Sequence, residues 1–432
     1  MRTLQALMIA LSMLLPSISA ASADVELVRA ESGWQLQVDG EPYRIKGAGG
    51  NHSMADLVKA GGNTVRTWGI GPTTKDYLDE AHRHGLKVVV GIWLGHTRQG
   101  FDYHDPDQTA EQLEHVRESV IRFRDHPAVL MWALGNEMEH GDGGDDPVLW
   151  QHIQDCAVLT KQLDPTHPVM TVFAEIGSNK VAMLRKHCPE IDVVGINSYG
   201  GAPSLPERFR EQGGTRPYVV TEFGPLGTWE VRKDDHEMVL EPTSTQKAET
   251  YETSYTALEA DTELCLGSFA FLWSHKQEAT HTWFGMWLED GSKVAAVDTM
   301  TRLWGGEEPD NLCPVIEPIE PKGDAEGQTG EILLFKLATS DPDGDELTAT
   351  WTYYREADEY DTRGDYQAKP GRVDGAIMTA STTMAELRLP EQPGKYRLYV
   401  TVHDGRGAAA TANIPVFVHE RVAASDAPPP PQ

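Results

Sequence analysis

A rhythm in the chain limits its fold most. Eight short apolar runs, at residues 43–47, 63–68, 86–94, 128–134, 169–173, 193–197, 218–222 and 266–273, alternate with amphipathic stretches. After the third run, for example, Leu113, Val116, Val120, Ile121 and Phe123 put most of their apolar side chains on one helical face. Strands that alternate with helices return to the same edge each time and build a parallel sheet. Eight such units over about 280 residues predict an α/β fold closed into a (β/α)8 TIM barrel. A doubly wound sheet requires a glycine-rich phosphate loop after an early strand. Gly47-Ala48-Gly49-Gly50-Asn51-His52 lacks the G-x-G-x-x-G spacing. A short hairpin with a turn at Asp39-Gly40 precedes the first run.

At residues 306–322 the composition turns to Glu, Pro, Asp and Gly, a linker signature that ends a barrel domain over 24–305. Beyond it the period is two. Leu347, Ala349, Trp351 and Tyr353 fall on one face and Thr348, Thr350 and Thr352 on the other, which predicts an all-β immunoglobulin-like sandwich over 323–420. The proline-rich end, 421–432, reads as disordered. Residues 1–23 combine Arg2, an apolar stretch from Leu7 to Leu15, Pro16 and Ala21-Ser22-Ala23, and read as a signal peptide too short to span a bilayer. The expected location is therefore secreted or periplasmic. Four cysteines in an oxidising compartment are expected to pair. Helices after the fourth and fifth strands are neighbours on a barrel's outer ring, so the expected bridges are Cys156–Cys188 and Cys265–Cys313. Their spacings match no zinc pattern.

Charge narrows the partners. The chain has 37 Lys+Arg against 66 Asp+Glu, a formal charge of −29. Nucleic-acid binding needs clustered cations to displace counterions, so nucleic acid is excluded, and anionic membranes and polyanions are disfavoured. No later segment is apolar for long enough to insert into a membrane. A monomer with a neutral ligand is the expectation, without cofactor or metal.

In a barrel the residues at the C-terminal ends of the strands face the active-site mouth. Those residues here are Asn51 and His52, Arg66 and Trp68, His96, Asn136 and Glu137, Glu175, Asn197 and Tyr199, Glu222, and Trp273 with His275. Two glutamates on nearly opposite strands, among aromatics and amides, suit glycosidic cleavage: one carboxyl protonates the leaving oxygen and the other attacks or stabilises the anomeric carbon.

Ala133-Leu134-Gly135-Asn136-Glu137 and Val220-Thr221-Glu222-Phe223-Gly224 resemble the Asn-Glu and nucleophile motifs of glycoside hydrolase clan A, and Tyr43-Arg44-Ile45-Lys46-Gly47 looks like the first strand of its families 2 and 5. The resemblance covers residues 41–303. It implies Glu137 as acid/base, Glu222 as nucleophile, Asn136 on the substrate 2-hydroxyl, Tyr199 orienting Glu222, Arg66 beneath it and Trp273 as the floor of the −1 subsite. Trp68, Asn197, His52, His96 and His275 are further candidates for holding sugar, whereas Glu139 and Glu175 read as bystanders or outer-subsite residues. A sandwich after the barrel, in place of the jelly-roll that precedes it in family 2, departs from that family.

The implied activity is a retaining endo-β-glucanase on a neutral polysaccharide, with β-1,3-glucan first and β-mannan or β-1,4-glucan next. The alternatives are a β-glucan transglycosylase and an inactive carbohydrate-binding surface protein. The sandwich is expected to be accessory, so that a chain ending near Pro309 keeps catalysis. Its turn Ser340-Asp341-Pro342-Asp343-Gly344-Asp345 resembles the acidic turn of cadherin-like modules, and reads either as a calcium site or as a plain acidic turn.

Overall fold

The computed structural model describes residues 24–139 and 142–421. The expected signal peptide and the expected disordered tail, apart from Arg421, lie outside the described residues.

An antiparallel cap comes first: β1 (Val25–Ala30), β2 (Gly33–Val38) and β3 (Glu41–Tyr43). Asp39 (φ 53°) and Gly40 (φ 82°) turn the chain between β2 and β3, the two left-handed residues that a tight hairpin requires. Leu36 and Val38 drop from the cap onto Ile45, Val89, Met131 and Phe269, so the cap plugs one end of the barrel.

The barrel strands are β4 (Ile45–Gly49), β5 (Thr64–Arg66), β6 (Lys87–Ile92), β7 (Val129–Leu134), β8 (Val169–Ala174), β9 (Val193–Asn197), β10 (Tyr218–Phe223) and β11 (Cys265–Phe271). They close in sequence order, with β11 pairing β4, as the alternating pattern predicts. The helices are α1 (Met54–Lys59), α2 (Thr74–Arg83), α3 (Pro106–Phe123), α4 (Pro147–Leu163), α5 (Lys180–His187), α6 (Leu205–Glu211), α7 (Ser244–Ala260) and α8 (Ala295–Trp304). Local sequence sets these elements. Every residue of β7 is buried, as befits a strand covered on both faces. In α3, Asp105 caps the backbone N–H groups of Asp107 and Gln108, Pro106 occupies the first turn, and Val116, Val120 and Phe123 bury one stripe. Thr243 and Gln246 form a reciprocal capping box at the start of α7.

Ten strands follow: β12 (Val315–Ile316), β13 (Glu320–Pro321), β14 (Glu326–Gln328), β15 (Ile332–Lys336), β16 (Thr339–Ser340), β17 (Thr348–Arg355), β18 (Ile377–Ala380), β19 (Met384–Arg388), β20 (Gly394–His403) and β21 (Ala409–His419). Sheets β13-β15-β19-β18 and β14-β21-β20-β17 face each other over a core that includes Phe335, Trp351, Tyr353, Leu387 and Leu398. The alternation read in β17 holds, with Trp351 and Tyr353 inward.

Two expectations need correction. The first is the linker. Within 306–322, β12 and β13 pair into the sandwich, Glu307 donates its N–H to the Lys59 carbonyl (2.8 Å), and Ile316 donates to Thr245 Oγ1 (3.0 Å). A composition rich in Pro and Glu here forms a bonded strap. Polar groups buried between the domains complete the joint. Arg397, buried and paired with Glu356, donates to the Val239 carbonyl (2.9 Å). Asn413 donates to Glu241 (2.6 Å), itself paired with Lys247, and the Thr411 N–H donates to Ser244 (2.9 Å).

The second correction concerns the cysteines, all four of which are buried free thiols. Cys156 faces His152 on its own helix (3.6 Å), whereas Cys188 donates to the Trp150 carbonyl (3.1 Å). Cys265 and Cys313 point to the carbonyls of Gly267 and Lys293, each at 3.5 Å. Neighbouring helices are necessary for a bridge, but the thiols must also face each other.

Candidate active site

The strand ends deliver a connected polar floor. Glu222, near the end of β10, is buried, and three donors converge on its carboxylate. Arg66 Nη1 and Trp68 Nε1 both reach Oε1 at 2.9 Å, and the Tyr199 hydroxyl reaches Oε2 at 2.9 Å. These three hydrogen bonds stabilise negative charge on the group. Arg66 also donates through Nη2 to Asn136 Oδ1 (2.6 Å), which accepts from Asn197 Nδ2 as well (3.2 Å). With both lone pairs of Oδ1 engaged, the Asn136 NH2 remains to donate to a ligand.

Glu137 follows β7 with φ 55°, a left-handed backbone that costs energy outside glycine and aims its side chain away from the strand line. Asn197 Nδ2 donates to its Oε1 at 2.6 Å, while Asn197 Oδ1 accepts from Thr221 Oγ1 at 2.7 Å. Burial, and then the charge of Glu222, push the Glu137 carboxyl up to about 8. It therefore holds a proton at neutral pH, as a general acid must. Burial also keeps the Tyr199 phenol protonated, fixing it as a donor toward Glu222.

These groups open into a cavity of about 520 Å3, lined on its apolar sides by Trp68, Trp93, Trp229, Phe271 and Phe284. Of the residues predicted from sequence, Glu137, Glu222, Asn136, Asn197, Tyr199 and Trp68 line it, and Arg66 sits immediately beneath Glu222. The other four neither line it nor reach Glu222. Trp273 is buried against Trp287 and Trp304 and donates to the Ser53 carbonyl (3.3 Å); Phe271, the last residue of β11, lines the cavity where Trp273 was predicted. His52 stacks on Trp287 (3.7 Å between ring centroids) and His96 on Trp93 (4.8 Å), so both rings serve packing. His275 lies outside the lining, and burial lowers its pKa.

Glu175, read as a bystander or outer-subsite residue, lines the cavity while held by Arg208 (3.0 Å) and Ser198 (2.5 Å). Sequence reasoning missed Trp229, Glu230, Lys276 and Glu278, which come from the loops after β10 and β11. Glu139 is structural, accepting from the Ala174 N–H (2.6 Å) and pairing with Lys180 (3.1 Å). Asp361, Arg363, Gly364 and Asp365 reach the cavity from the sandwich.

Among the described residues, two groups elsewhere have metal-ligand composition, His236–Glu326–His419 and Asp341–Asp343–Asp345, and none of the six residues lines the cavity. In the second, Asp341 caps its own turn, Asp343 accepts from the Leu312 N–H (2.6 Å) and Asp345 pairs with Arg406 (3.0 Å). Those carboxylates satisfy the protein's own donors.

The closed parallel barrel carries a glutamate just after its fourth strand and another near the end of its seventh, both in one cavity. Comparison with known proteins finds similarity to glycoside hydrolase barrels. Residues 61–228 match the family described as glycosyl hydrolases family 2, TIM barrel domain. Human β-glucuronidase is 28% identical over 188 residues, covering 38% of this chain and 26% of that one. The β-glucuronidase of Paenibacillus borealis is 26% identical over 242 residues (46% and 38%), and mannan endo-1,4-β-mannosidase F of Aspergillus clavatus is 26% identical over 143 (29% and 32%). The chain thus spans about a quarter to two fifths of the length of these curated relatives. In fold it is similar to the β-D-glucuronidase of Dictyoglomus thermophilum, with a TM-score of 0.52 and 19% identity over 67% of this chain and 54% of the other. Among the described residues no helix is long and apolar enough to cross a membrane.

Proposed function

We propose that this chain is a retaining β-glycosidase acting on a neutral β-linked glycan. One observation carries the reading: two glutamates in a single cavity have opposite settings, Glu137 raised to about 8 by burial and Glu222 surrounded by three donors. Glu222 attacks the anomeric carbon while Glu137 gives its proton to the departing oxygen. Glu137, now a base, then takes a proton from the water that releases the sugar. Asn136 offers its NH2 to the sugar, and Arg66 fixes the other end of that amide.

The sugar's charge follows from the walls. Glu175, Glu230, Glu278, Asp361 and Asp365 line the cavity with Lys276 and Arg363; Arg208 pairs with Glu175, Arg98 with Asp365 and Lys276 with Glu278, which leaves Glu230 and Asp361 against Arg363. A uronate would meet net repulsion there. Among neutral glycans the order of preference is β-1,3-glucan, then β-mannan and β-1,4-glucan. The relatives named as mannosidases and glucuronidases support the β-glycosidic bond as the target. The reading includes export through the leader at residues 1–23, which N-terminal sequencing of the mature protein tests.

The deciding experiment offers purified protein laminarin, mannan, cellulose and the aryl β-glycosides of glucose, mannose and glucuronic acid, and follows the product anomer by NMR. Neutral substrates should react with retention, and the glucuronide about tenfold or more slower, which corresponds to about 1.4 kcal/mol of repulsion. Inverted product, or a preference for glucuronide, would defeat the proposal.

A further inference from the structure

The segment that follows β17, residues 356–370, leaves the sandwich and lies across the barrel mouth before Gly371 and Val373 return to pair with Arg355 (2.9 Å) and Tyr353 (2.8 Å). Its base is fixed by the buried Arg397–Glu356 pair. Its tip is fastened on two banks. After β6, Arg98 pairs with Asp365 and donates to the Arg363 carbonyl (3.2 Å), while Gln99 donates to Asp365 Oδ1 (3.0 Å). After β10 and β11, Thr228 donates to the Tyr360 carbonyl (2.9 Å), Glu278 Oε1 accepts from Thr362 (3.1 Å), and Gln367 Oε1 accepts from the Ala279 N–H (2.8 Å). Arg363 is held at φ 51°, a conformation that persists in arginine only when its surroundings dictate it.

Barrel order says which part of the mouth is crossed. Strands β10, β11, β4, β5 and β6 are consecutive around the ring, so a loop fastened after β6, β10 and β11 covers the arc above β4 and β5. Within that arc His52, which follows β4, does not line the cavity, whereas Trp68, which follows β5, does. Glu137 stands after β7, on the uncovered side. An acid must face the glycosidic oxygen, so the leaving group extends over Glu137 and the sugar's non-reducing end points into the covered arc.

We propose that residues 356–370 of the sandwich form the end wall of the glycone side of the cleft, with Arg363 and Asp365 against the sugar. The chain then adds water across a bond at the non-reducing end of a β-glycan and releases a product of fixed length; internal cutting, the expectation from sequence, gives way to terminal cutting. The proposal rests on the β-glycosidase reading above.

The test uses the full chain and hexasaccharides of β-1,3-glucose and β-1,4-mannose carrying a fluorophore at the reducing end, with labelled products sized at early times. Wild type should give one labelled product first and then a regular shortening series. Two variants are compared, each checked for a cooperative melt: one with residues 358–369 replaced by a short Gly-Ser turn, and the double variant Arg98→Ala/Gln99→Ala, which frees one bank without touching the cavity. In both, the fraction of labelled products of other sizes should rise about tenfold, the scale expected when two or three hydrogen bonds holding a wall are lost. Both variants should still hydrolyse the aryl β-glycoside, which shows that the floor of the cleft survives. Several labelled sizes from wild type at the first turnovers, or an unchanged series from either folded variant, would overturn the wall. Failure of wild type to cleave any glycan or aryl glycoside would overturn the β-glycosidase reading, and the wall with it.

Discussion

At the floor of the cleft, Arg66, Asn136, Glu137, Asn197 and Glu222 come from four strand ends of one closed sheet, and their spacing is set by main-chain pairing between neighbouring strands. At the rim, Asp361, Arg363 and Asp365 come from a different domain and stay in place through side chains that cross a domain joint. The floor is preorganised as soon as the barrel closes. The rim also requires that the sandwich dock and that its loop be fastened. On the two proposals above, catalytic power and substrate length reside in separate structural units, and damage to one should leave the other measurable.

The harshest way to break that separation is to remove the sandwich altogether. A chain ending at Pro309 would leave Val239 without Arg397, and the buried Glu241 and Ser244 without Asn413 and Thr411. Stripping partners from buried polar groups costs about 1–3 kcal/mol each, against a total stability of about 5–15 kcal/mol. The truncated chain should therefore be largely insoluble or melt without cooperativity. A soluble fragment with a sharp circular-dichroism transition and wild-type turnover would show that the joint is dispensable.

Within the floor, the two glutamates separate by role. Glu222→Ala should lower turnover by at least ~10^4-fold even on an activated aryl glycoside, because a good leaving group does not replace a nucleophile. Glu137→Ala should lose about 10^2- to 10^4-fold on natural glycans but retain the first step on the activated substrate. Azide should rescue Glu137→Ala and yield a β-glycosyl azide, whereas any azide product of Glu222→Ala should be the α-anomer. Opposite anomers would exchange the two roles.

How much of this the sequence revealed follows the same division. The eight strands and the meeting of Glu137 with Glu222 in one cavity were legible because strand period and strand-end position both leave marks in one dimension. Trp273 misled because the apolar run 266–273 continues past the end of β11 at Phe271, so that the last aromatic of the run is not the last of the strand. His52 and His96 occupy strand-end positions too, but stack on Trp287 and Trp93, and such ring contacts leave no periodic trace. The cysteine pairs failed because adjacency of α4 and α5 does not tell which way each thiol points. The rim was invisible by composition, since residues 356–370 read as an ordinary polar loop. Its one signal was length: irregular loops beyond about 12–15 residues are uncommon in compact domains and are usually functional.

A milder perturbation, pH, should act on the floor alone. Because the folded Glu137 holds its proton up to about 8, general-acid activity should be full below that pH and fall about tenfold per unit above it, with the rim-dependent product pattern unchanged. Stability moves with the same proton. A carboxyl raised in the folded state stabilises fully below its ordinary value near 4.5, and that contribution is lost as pH climbs through about 8. Glu137→Gln removes the titration, so the variant should gain on the order of 1 kcal/mol over wild type at pH 8.5 and little at pH 4, measured by urea midpoints. Equal midpoints at both pH values would mean that Glu137 titrates normally.

The smallest effect belongs to Trp229, which joins floor to rim. Its ring is 58% exposed, stands edge-on to Tyr199 at 5.8 Å, and lines the cavity from the loop after β10. Glu230 ties that loop down by accepting from the Gly227 and Gly200 N–H groups at 2.7 and 2.9 Å. A Cβ on Gly227 would come within 2.4 Å of the Trp229 ring, so the glycine lets the ring lie against the chain. An exposed indole held in this way is a platform for a sugar face, with an energy of about 0.5–1.5 kcal/mol by analogy with aromatic pairs. Trp229→Ala should therefore raise KM for oligosaccharides by about 3- to 10-fold and leave kcat on an aryl glycoside nearly unchanged, since no donor to Glu222 is lost. Gly227→Ala, which displaces the ring without removing it, should show the same split in weaker form. A drop in kcat for both variants would instead place Trp229 with the floor, as a support for Tyr199 and through it for Glu222.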